Sequence, residues 1–330
     1  MTRRLAEVAK YVGVSEATVS RVLNGKPGIS EATRTAVLTA LDVLGYERPT
    51  KLRGERARLV GLVLPELGNP IFPAFAEVVA DALARRSFTP VLCTRTQHGV
   101  SEGDYVDMLL DQHVSGVIFA GGNYAQGAAD HEHYHRIADR GLPAVLVNAA
   151  IDGLKFPRVS TDDSHAVEQA YQHLVALGHE RIGLIIGPED HMPSLRKLTA
   201  YQGKAAEPAL FEHTMFSLEG GHAAGTRLMN RGATALICAS DVLALGAIRA
   251  VRRLGRSVPG DVSVVGYDDS SFMTCTEPPL TTVRQPIEAM GQAVVALLIN
   301  AIAGNPIPTD ELLFEPELVV RGSTGPAPAA

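Results

Sequence analysis

The sequence predicts an α/β chain with a small helical head and a larger body of doubly wound parallel sheets. Three observations carry that prediction. From Leu59 onward, short apolar runs alternate with amphipathic stretches of helical length, the rhythm of parallel sheets flanked by helices. Before Leu59 the pattern is helical only. The charge divides at the same place. Residues 1–58 hold 11 Lys/Arg against 6 Asp/Glu, a net +5, and the remainder holds 19 against 30, a net −11. A basic head on an acidic body confines nucleic-acid affinity to one end of a chain whose total charge is −6.

The head reads as three helices. Leu5, Val8, Ala9 and Val12 share one face of a first helix, and Gly13-Val14-Ser15 makes a tight turn. A second helix spans about Glu16 to Leu23, with Ser15 as N-cap and Asn24-Gly25 as the left-handed stop. Val19, Val22 and Leu23 form its apolar face; Glu16, Ala17, Ser20 and Arg21 form the opposite one. Two short helices around a glycine-containing turn make a helix-turn-helix pattern. A third helix runs from about Ser30 to Leu44, closing the core with Val37, Leu38, Leu41 and Leu44, and Gly45-Tyr46 ends it. Residues 47–58 are polar and basic with one large apolar side chain, Leu52, and read as a linker.

In the body, strands are expected at Leu59–Leu64, Pro90–Cys93, Gly116–Ala120, Ala144–Asn148, Arg181–Ile186, Ala235–Cys238 and Val262–Tyr267. Helices are expected over 73–86, 101–112, 131–140, 163–177, 219–231, 241–254 and 286–302. Ligands of such sheets bind at the carboxyl ends of the strands. The stretch from Gly322 to Ala330 is rich in Gly, Ser, Pro and Ala and reads as a disordered tail.

The rest of the composition excludes several classes. No apolar run is long enough to span a membrane, and no apolar segment follows Arg3 and Arg4 as in a signal peptide. Cys93, Cys238 and Cys275 are few, odd in number and far apart, which suggests reduced thiols in the cytoplasm rather than a disulfide or zinc framework. No P-loop and no Gly-x-Ser-x-Gly elbow is present. His131 and His135 share a helical face in His131-Glu132-His133-Tyr134-His135, but without further ligands they read as a solvated face, not a metal site. No cofactor is implied, and the chain is not read as an enzyme.

Leu5-Ala6-Glu7-Val8-Ala9, Gly13-Val14-Ser15 and Thr18-Val19-Ser20-Arg21-Val22-Leu23-Asn24-Gly25 resemble the N-terminal signature of the lactose-repressor (LacI/GalR) family of transcriptional regulators. The resemblance extends through Gly61-Leu62-Val63-Leu64-Pro65, Asn69-Pro70-Ile71-Phe72 and Leu177-Gly178-His179-Glu180-Arg181-Ile182-Gly183. It continues in Ala239-Ser240-Asp241, in Val258-Pro259-Gly260-Asp261-Val262-Ser263-Val264-Val265-Gly266-Tyr267-Asp268-Asp269, and in Pro278-Pro279-Leu280-Thr281-Thr282-Val283-Arg284-Gln285-Pro286. Order and spacing cover nearly the whole chain, and sugar-utilisation repressors of actinobacteria are the nearest in appearance.

The resemblance implies a two-lobed body like the periplasmic sugar-binding proteins, with three crossovers, placed near residues 158, 287 and 313. The divisions are then a DNA-binding domain at 1–46, a hinge at 47–58, an effector-binding and dimerisation domain at 59–325, and a disordered tail at 326–330. Within the body, 59–157 and 288–312 form one lobe, and 158–287 and 313–325 the other.

Carried over by position, Glu16, Ala17 and Arg21 face DNA bases, and Ser15, Thr18, Ser20 and Asn24 contact the backbone. Arg4 stands where the family usually has a capping threonine that touches phosphate. Leu52 is the candidate wedge into a minor-groove base step; the alternative is a flexible tether, and this hinge is shorter than usual for the family.

The implied effector-binding residues are Asn69, Phe72, Asp162, Arg196 or Lys197, Phe216, Ser240 and Asp268. Asp268 is the carboxylate that accepts sugar hydroxyls, Phe72 and Phe216 are stacking surfaces, and Ser240 replaces a common asparagine. Which of Arg196 and Lys197 enters the cleft stays open. The expected partners are double-stranded operator DNA, a mono- or disaccharide effector and a second copy of the chain, with no membrane.

Overall fold

The computed structural model describes residues 2–23, 26, 28–44, 58–95, 99–151 and 153–328, without the side chains of residues 2–4 and 42. It divides into two compact units, Met1–Leu59 and Val60–Ala330. Asn24, Gly25, Leu52 and the Arg4 side chain, with most of the expected hinge, lie outside the described residues.

The first unit holds α1 (Thr2–Val12), α2 (Glu16–Leu23) and α3 (Glu31–Val43). The apolar stripes meet as expected. Val8, Ala9, Val19, Val22, Val37, Ala40 and Leu41 form a buried cluster, with Leu5, Val14, Ile29 and Leu44 packed around it. Both turns are capped by serine. Ser15 Oγ accepts the Thr18 N–H at 3.1 Å, and Ser30 Oγ accepts the Thr33 N–H at 3.2 Å, so each hydroxyl satisfies an amide that the first helical turn leaves free.

The second unit holds two six-stranded sheets of matching design. The first half of its chain runs β1 (Leu59–Leu64), α4 (Ile71–Ala84), β2 (Thr89–Thr94), α5 (Glu102–Asp111), β3 (Gly116–Phe119), α6 (Glu132–Asp139), β4 (Ala144–Val147) and β5 (Arg158–Thr161). The second half runs α7 (Asp163–Ala176), β6 (Ile182–Ile186), α8 (Met192–Gln202), β7 (Leu210–His213), α9 (Leu218–Asn230), β8 (Ala235–Cys238), α10 (Asp241–Arg253), β9 (Ser263–Asp268) and β10 (Thr281–Arg284). Then follow α11 (Ile287–Ile302), β11 (Glu311–Phe314) and β12 (Glu317–Val319).

The strand orders are β11-β5-β4-β3-β1-β2 and β12-β10-β9-β8-β6-β7. Each has its first strand inside and its second at the edge, an arrangement that opens a crevice where the order reverses. Most pairings are parallel, whereas β12 runs antiparallel to β10. Each lobe has its own core. Val60, Leu62, Ile118, Val145 and Leu298 belong to one, and Leu184, Leu236, Val264, Ala244 and Tyr201 to the other.

Three expectations need correction. The lobe crossings fall between β5 and α7, at Gln285-Pro286, and at Glu315-Pro316. The first and third lie a few residues beyond the expected places, because β5 and β11 pair with each other in the first sheet. The tail from Gly322 is ordered as far as Pro328. Ser323 is fully buried, accepts the Thr281 N–H at 2.8 Å and donates to the Val264 carbonyl at 2.6 Å, and Ala327 N–H reaches the Leu177 carbonyl at 2.8 Å. Small side chains let this segment lie flat against β9 and β10. Finally, the histidine tract is not a wholly solvated face. His133 is buried against Glu102 at 3.1 Å, and His131 Nε2 meets the carbonyls of Asn123 and Gln126 at 3.0 and 3.1 Å; only His135 of the three is exposed.

Candidate functional site

The two lobes enclose a cleft of about 430 Å³. Its lining includes Pro65, Ala120 and Gly121, just past the carboxyl ends of β1 and β3, and Pro188, Ala239 and Ser240, just past β6 and β8. These are the two points where strand order reverses, the places where doubly wound sheets bind ligands.

The polar centre of the cleft is built from Asp163, Lys197, Tyr267, Asp268 and Gln285. Lys197 is buried on α8, donates to Asp163 Oδ1, and sits over the Tyr267 ring at 4.1 Å from its centroid. The Tyr267 hydroxyl also reaches Asp163 Oδ1, at 3.3 Å. Asp268 ends β9 with φ 120°, and Asp269 follows with φ 57°. Consecutive non-glycine residues in that region carry backbone strain, and such strain clusters at ligand sites.

Asp268 Oδ1 accepts from Gln285 Nε2 at 2.7 Å, and Gln285 Oε1 accepts from Thr161 Oγ1 at 2.9 Å. The second oxygens of Asp163 and Asp268 are buried and have no hydrogen-bond partner among the described residues. Burial pushes the Asp268 carboxyl well above the ordinary range, and the nearby Asp241 charge adds to this; Gln285, Lys197 and Asn69 oppose it. A ligand hydroxyl donating to Oδ2 would favour the carboxylate in the same way.

Asp241 has a different task. It accepts from Thr282 Oγ1 at 2.6 Å and from the Ser270 N–H at 2.8 Å, tying α10 to β10 and to the loop after β9. Its pKa is raised by burial to about 6.

Six of the expected effector residues line the cleft: Asn69, Phe72, Lys197, Phe216, Ser240 and Asp268. Ser240 spends its hydroxyl on capping α10, where it accepts the Leu243 N–H at 3.2 Å. Phe216 lies over Gly187, where a Cβ would come within 2.4 Å of its ring; glycine makes room for the aromatic wall.

Two expected residues do not line the cleft. Asp162 caps α7, accepting the His165 N–H at 3.0 Å, because it is Asp163 that the first helical turn directs inward. Arg196 points away from the cleft and pairs with Glu311 at 2.8 Å, so Lys197 is the cation that enters. Asp163, Tyr267, Gln285 and His191 were not anticipated. His191 is held neutral, its pKa lowered to about 4 by burial and by the Lys197 charge; Ser194 Oγ lies 2.9 Å from its Nδ1.

In the head, Glu16, Ala17 and Arg21 are exposed on α2, with Ser15 exposed at its start and Thr18 and Ser20 half-buried. The apolar side of the same helix is sealed by Val19 and Val22. A short helix fixed on one face and polar on the other can read a groove.

Residues 4–49 match "Bacterial regulatory proteins, lacI family", and residues 171–324 match a periplasmic binding protein-like domain. The chain is 52% identical over 339 residues to the HTH-type transcriptional regulator reg1 of Streptomyces lividans, covering 99% of this chain and 98% of the relative.

The chain belongs to the lacI family of bacterial regulatory proteins.

It is a DNA-binding, helix-turn-helix transcriptional regulator. MalR of Streptomyces coelicolor, an HTH-type transcriptional regulator, is 51% identical, covering 99% of this chain and 98% of MalR. Among solved structures, a transcriptional regulator CelR–cellobiose complex superposes with a TM-score of 0.73 at 34% identity, covering 97% of this chain and 99% of that one. The lac repressor dimer bound to operator and the anti-inducer ONPF superposes with a TM-score of 0.71 at 28% identity, covering 96% and 98%. These relatives are named as regulators or repressors, not as enzymes. Among the described residues, no helix is long and apolar enough to cross a membrane, and no group of three or more His, Cys, Asp or Glu is placed to hold a metal ion.

Proposed function

We propose that this regulator is a cytoplasmic repressor of sugar uptake or catabolism genes, working as a homodimer on a pseudopalindromic operator and controlled by a mono- or disaccharide in the inter-lobe cleft. The single observation that carries the effector reading is the pair of buried carboxylates, Asp163 and Asp268, each with one oxygen that accepts no hydrogen bond among the described residues. Sugars present many hydroxyl donors, and a charge-assisted bond to a carboxylate is about twice as strong as a neutral one. Phe72 and Phe216 supply flat apolar walls beside that polar centre. The CelR complex with cellobiose and the lac repressor dimer on operator support the same reading.

Both lobes contribute to the site: Asn69 and Phe72 from one, Lys197 and Asp268 from the other. A sugar that spans them favours the arrangement that brings them together, and that differential affinity is what couples the cleft to operator binding. In the head, Ser15, Glu16, Ala17, Thr18, Ser20, Arg21 and Asn24, with Arg4, are assigned to the major groove and its phosphates, and Leu52 to the minor groove.

The experiment is a thermal-shift screen of the full chain against glucose, galactose, maltose, cellobiose, trehalose and sucrose. A ligand that binds only the folded state raises the unfolding temperature in proportion to the logarithm of its excess over Kd. At least one sugar is expected to do so and to change operator affinity. No shift with any sugar at millimolar concentration contradicts the effector assignment.

A further inference from the structure

The two lobes touch at places other than the cleft lining, and one of these contacts has an unusual position. Arg196 lies on α8 in the second lobe, one residue before Lys197. Its guanidinium forks onto Glu311 of β11, the edge strand of the first lobe's sheet, with Nη1–Oε1 at 2.8 Å and Nη2–Oε2 at 3.0 Å. Ser160 Oγ, on the neighbouring strand β5, donates to the same carboxylate. Side-chain exposures of 26% and 19% leave the pair half-buried. A two-bond, partly desolvated arginine–carboxylate pair is fixed in geometry as a single surface contact is not.

On α8 each residue is turned about a hundred degrees from the one before. Ser194, Lys197 and Tyr201 are buried toward their own lobe or the cleft, and Arg196 is turned about a hundred degrees from Lys197, toward the other lobe. The helix that presents the cleft cation is therefore anchored to both lobes: to its own through Tyr201, whose hydroxyl bonds the Ile182 and Leu210 carbonyls at 2.8 and 3.0 Å, and to the other through Arg196. A further contact crosses between the lobes just before α8, where Gly127 N–H donates to the Asp190 carbonyl at 3.1 Å. That contact is between main chains and does not depend on side-chain identity; the Arg196 contact does.

We propose that Arg196 and Glu311 form an inter-lobe clasp of positioning residues, which holds the lobes together and α8 in place so that effector affinity depends on a pair that does not line the cleft. The proposal rests on the effector reading above for its second half, not for its first. Glu311 is suited to the task. Burial works to raise its pKa, but the bonds from Arg196 and Ser160 outweigh this and hold it below the usual carboxylate value, so it stays charged.

The test uses the full chain with nitroxide labels at Cys275, which is exposed, and at Met108→Cys on α5 in the first lobe; Cys93 and Cys238 are buried. Labelled chain is diluted into unlabelled chain, and the distance distribution is read by pulsed dipolar spectroscopy. Arg196→Ala and Glu311→Gln are each expected to broaden the distribution, and Arg196→Lys, which keeps the charge but loses the fork, to fall between them and the parent.

Titration with the best sugar of the panel above should show affinity reduced by about tenfold in Arg196→Ala, within the range of coupling between linked sites. Unchanged distances in both Arg196→Ala and Glu311→Gln overturn the clasp. Broadened distances with unchanged sugar affinity overturn its role in positioning. If the parent binds no sugar of the panel, the effector reading fails, and the distance measurement alone decides whether the clasp exists. Glu311→Gln preserves shape and volume, so a fold defect in the alanine variant does not leave the question open.

Discussion

Lys197 places its ammonium 4.1 Å from the centroid of the Tyr267 ring while donating to Asp163, so one cation at the heart of the cleft is the counter-charge of a buried carboxylate and lies against the face of a ring. Removing one member of a buried ion pair leaves the other without compensation, at a cost of about 3–5 kcal/mol. Lys197→Met should therefore lower the unfolding free energy of the body by about that amount. The double variant with Asp163→Asn should recover part of the loss. Chemical denaturation followed by far-UV circular dichroism measures both, and a single variant as stable as the parent contradicts this role.

Arg21 is exposed on the polar face of α2, whose other face is sealed into the head's core by Val19 and Val22. An arginine that meets guanine in the major groove is worth about 1–3 kcal/mol of discrimination. Arg21→Ala should cut the ratio of operator to random-DNA affinity accordingly, with the thermal unfolding of the body unchanged. Fluorescence anisotropy titrations against both DNAs give the ratio. An equal ratio for parent and variant removes Arg21 from base reading.

His191 has the sign of pH dependence that a buried neutral imidazole imposes. Its folded-state pKa is lowered to about 4 from an ordinary 6.5, by burial and by the Lys197 charge. The unfolded chain therefore takes up a proton near pH 6.5 that the folded chain refuses. The stability this group contributes is present above pH 6.5 and is lost as the pH falls toward 4. Between pH 7 and pH 5, the parent should lose more stability than His191→Gln. Parallel melting curves against pH for the two proteins would show that His191 titrates normally in the fold.

Much of the fold was legible because its long elements repeat one pattern. Leu59–Leu64 and Ala235–Cys238 are continuous apolar runs and were placed to the residue. The strands Arg158–Thr161, Leu210–His213, Thr281–Arg284, Glu311–Phe314 and Glu317–Val319 were not foreseen. They are short and carry charged or hydroxyl side chains, so neither continuous nor alternating apolar spacing marks them. The helix Met192–Gln202 was missed for a related reason. Its inward residues include Ser194 and Lys197, which periodicity counts as polar although they are buried.

The site shows the same division. Asp268 and Phe72, expected from the segments that carry them, both line the cleft. Asp162 was the expected cleft residue; that Asp163 faces inward instead follows from which carboxylate caps α7, and both are good capping residues. The choice between Arg196 and Lys197 depends on the phase of α8, which only the helix itself sets. Gln285 was visible as a letter in a segment, but its bond to Asp268 needs the lobe crossing that brings β10 and α11 together.

The most direct measurement is calorimetry of the parent and Asp268→Asn with the sugar identified by the thermal-shift screen, read beside operator affinity without sugar. Asparagine keeps the shape of Asp268, removes the charge, and turns one acceptor into a donor. Sugar binding should weaken by about 1.5–3 kcal/mol, the range of a hydrogen bond to a charged group, while operator affinity without sugar stays at the parent's value. Unchanged sugar affinity in Asp268→Asn, with the fold intact, would contradict the assignment of this carboxylate to the effector and with it the proposed basis of regulation.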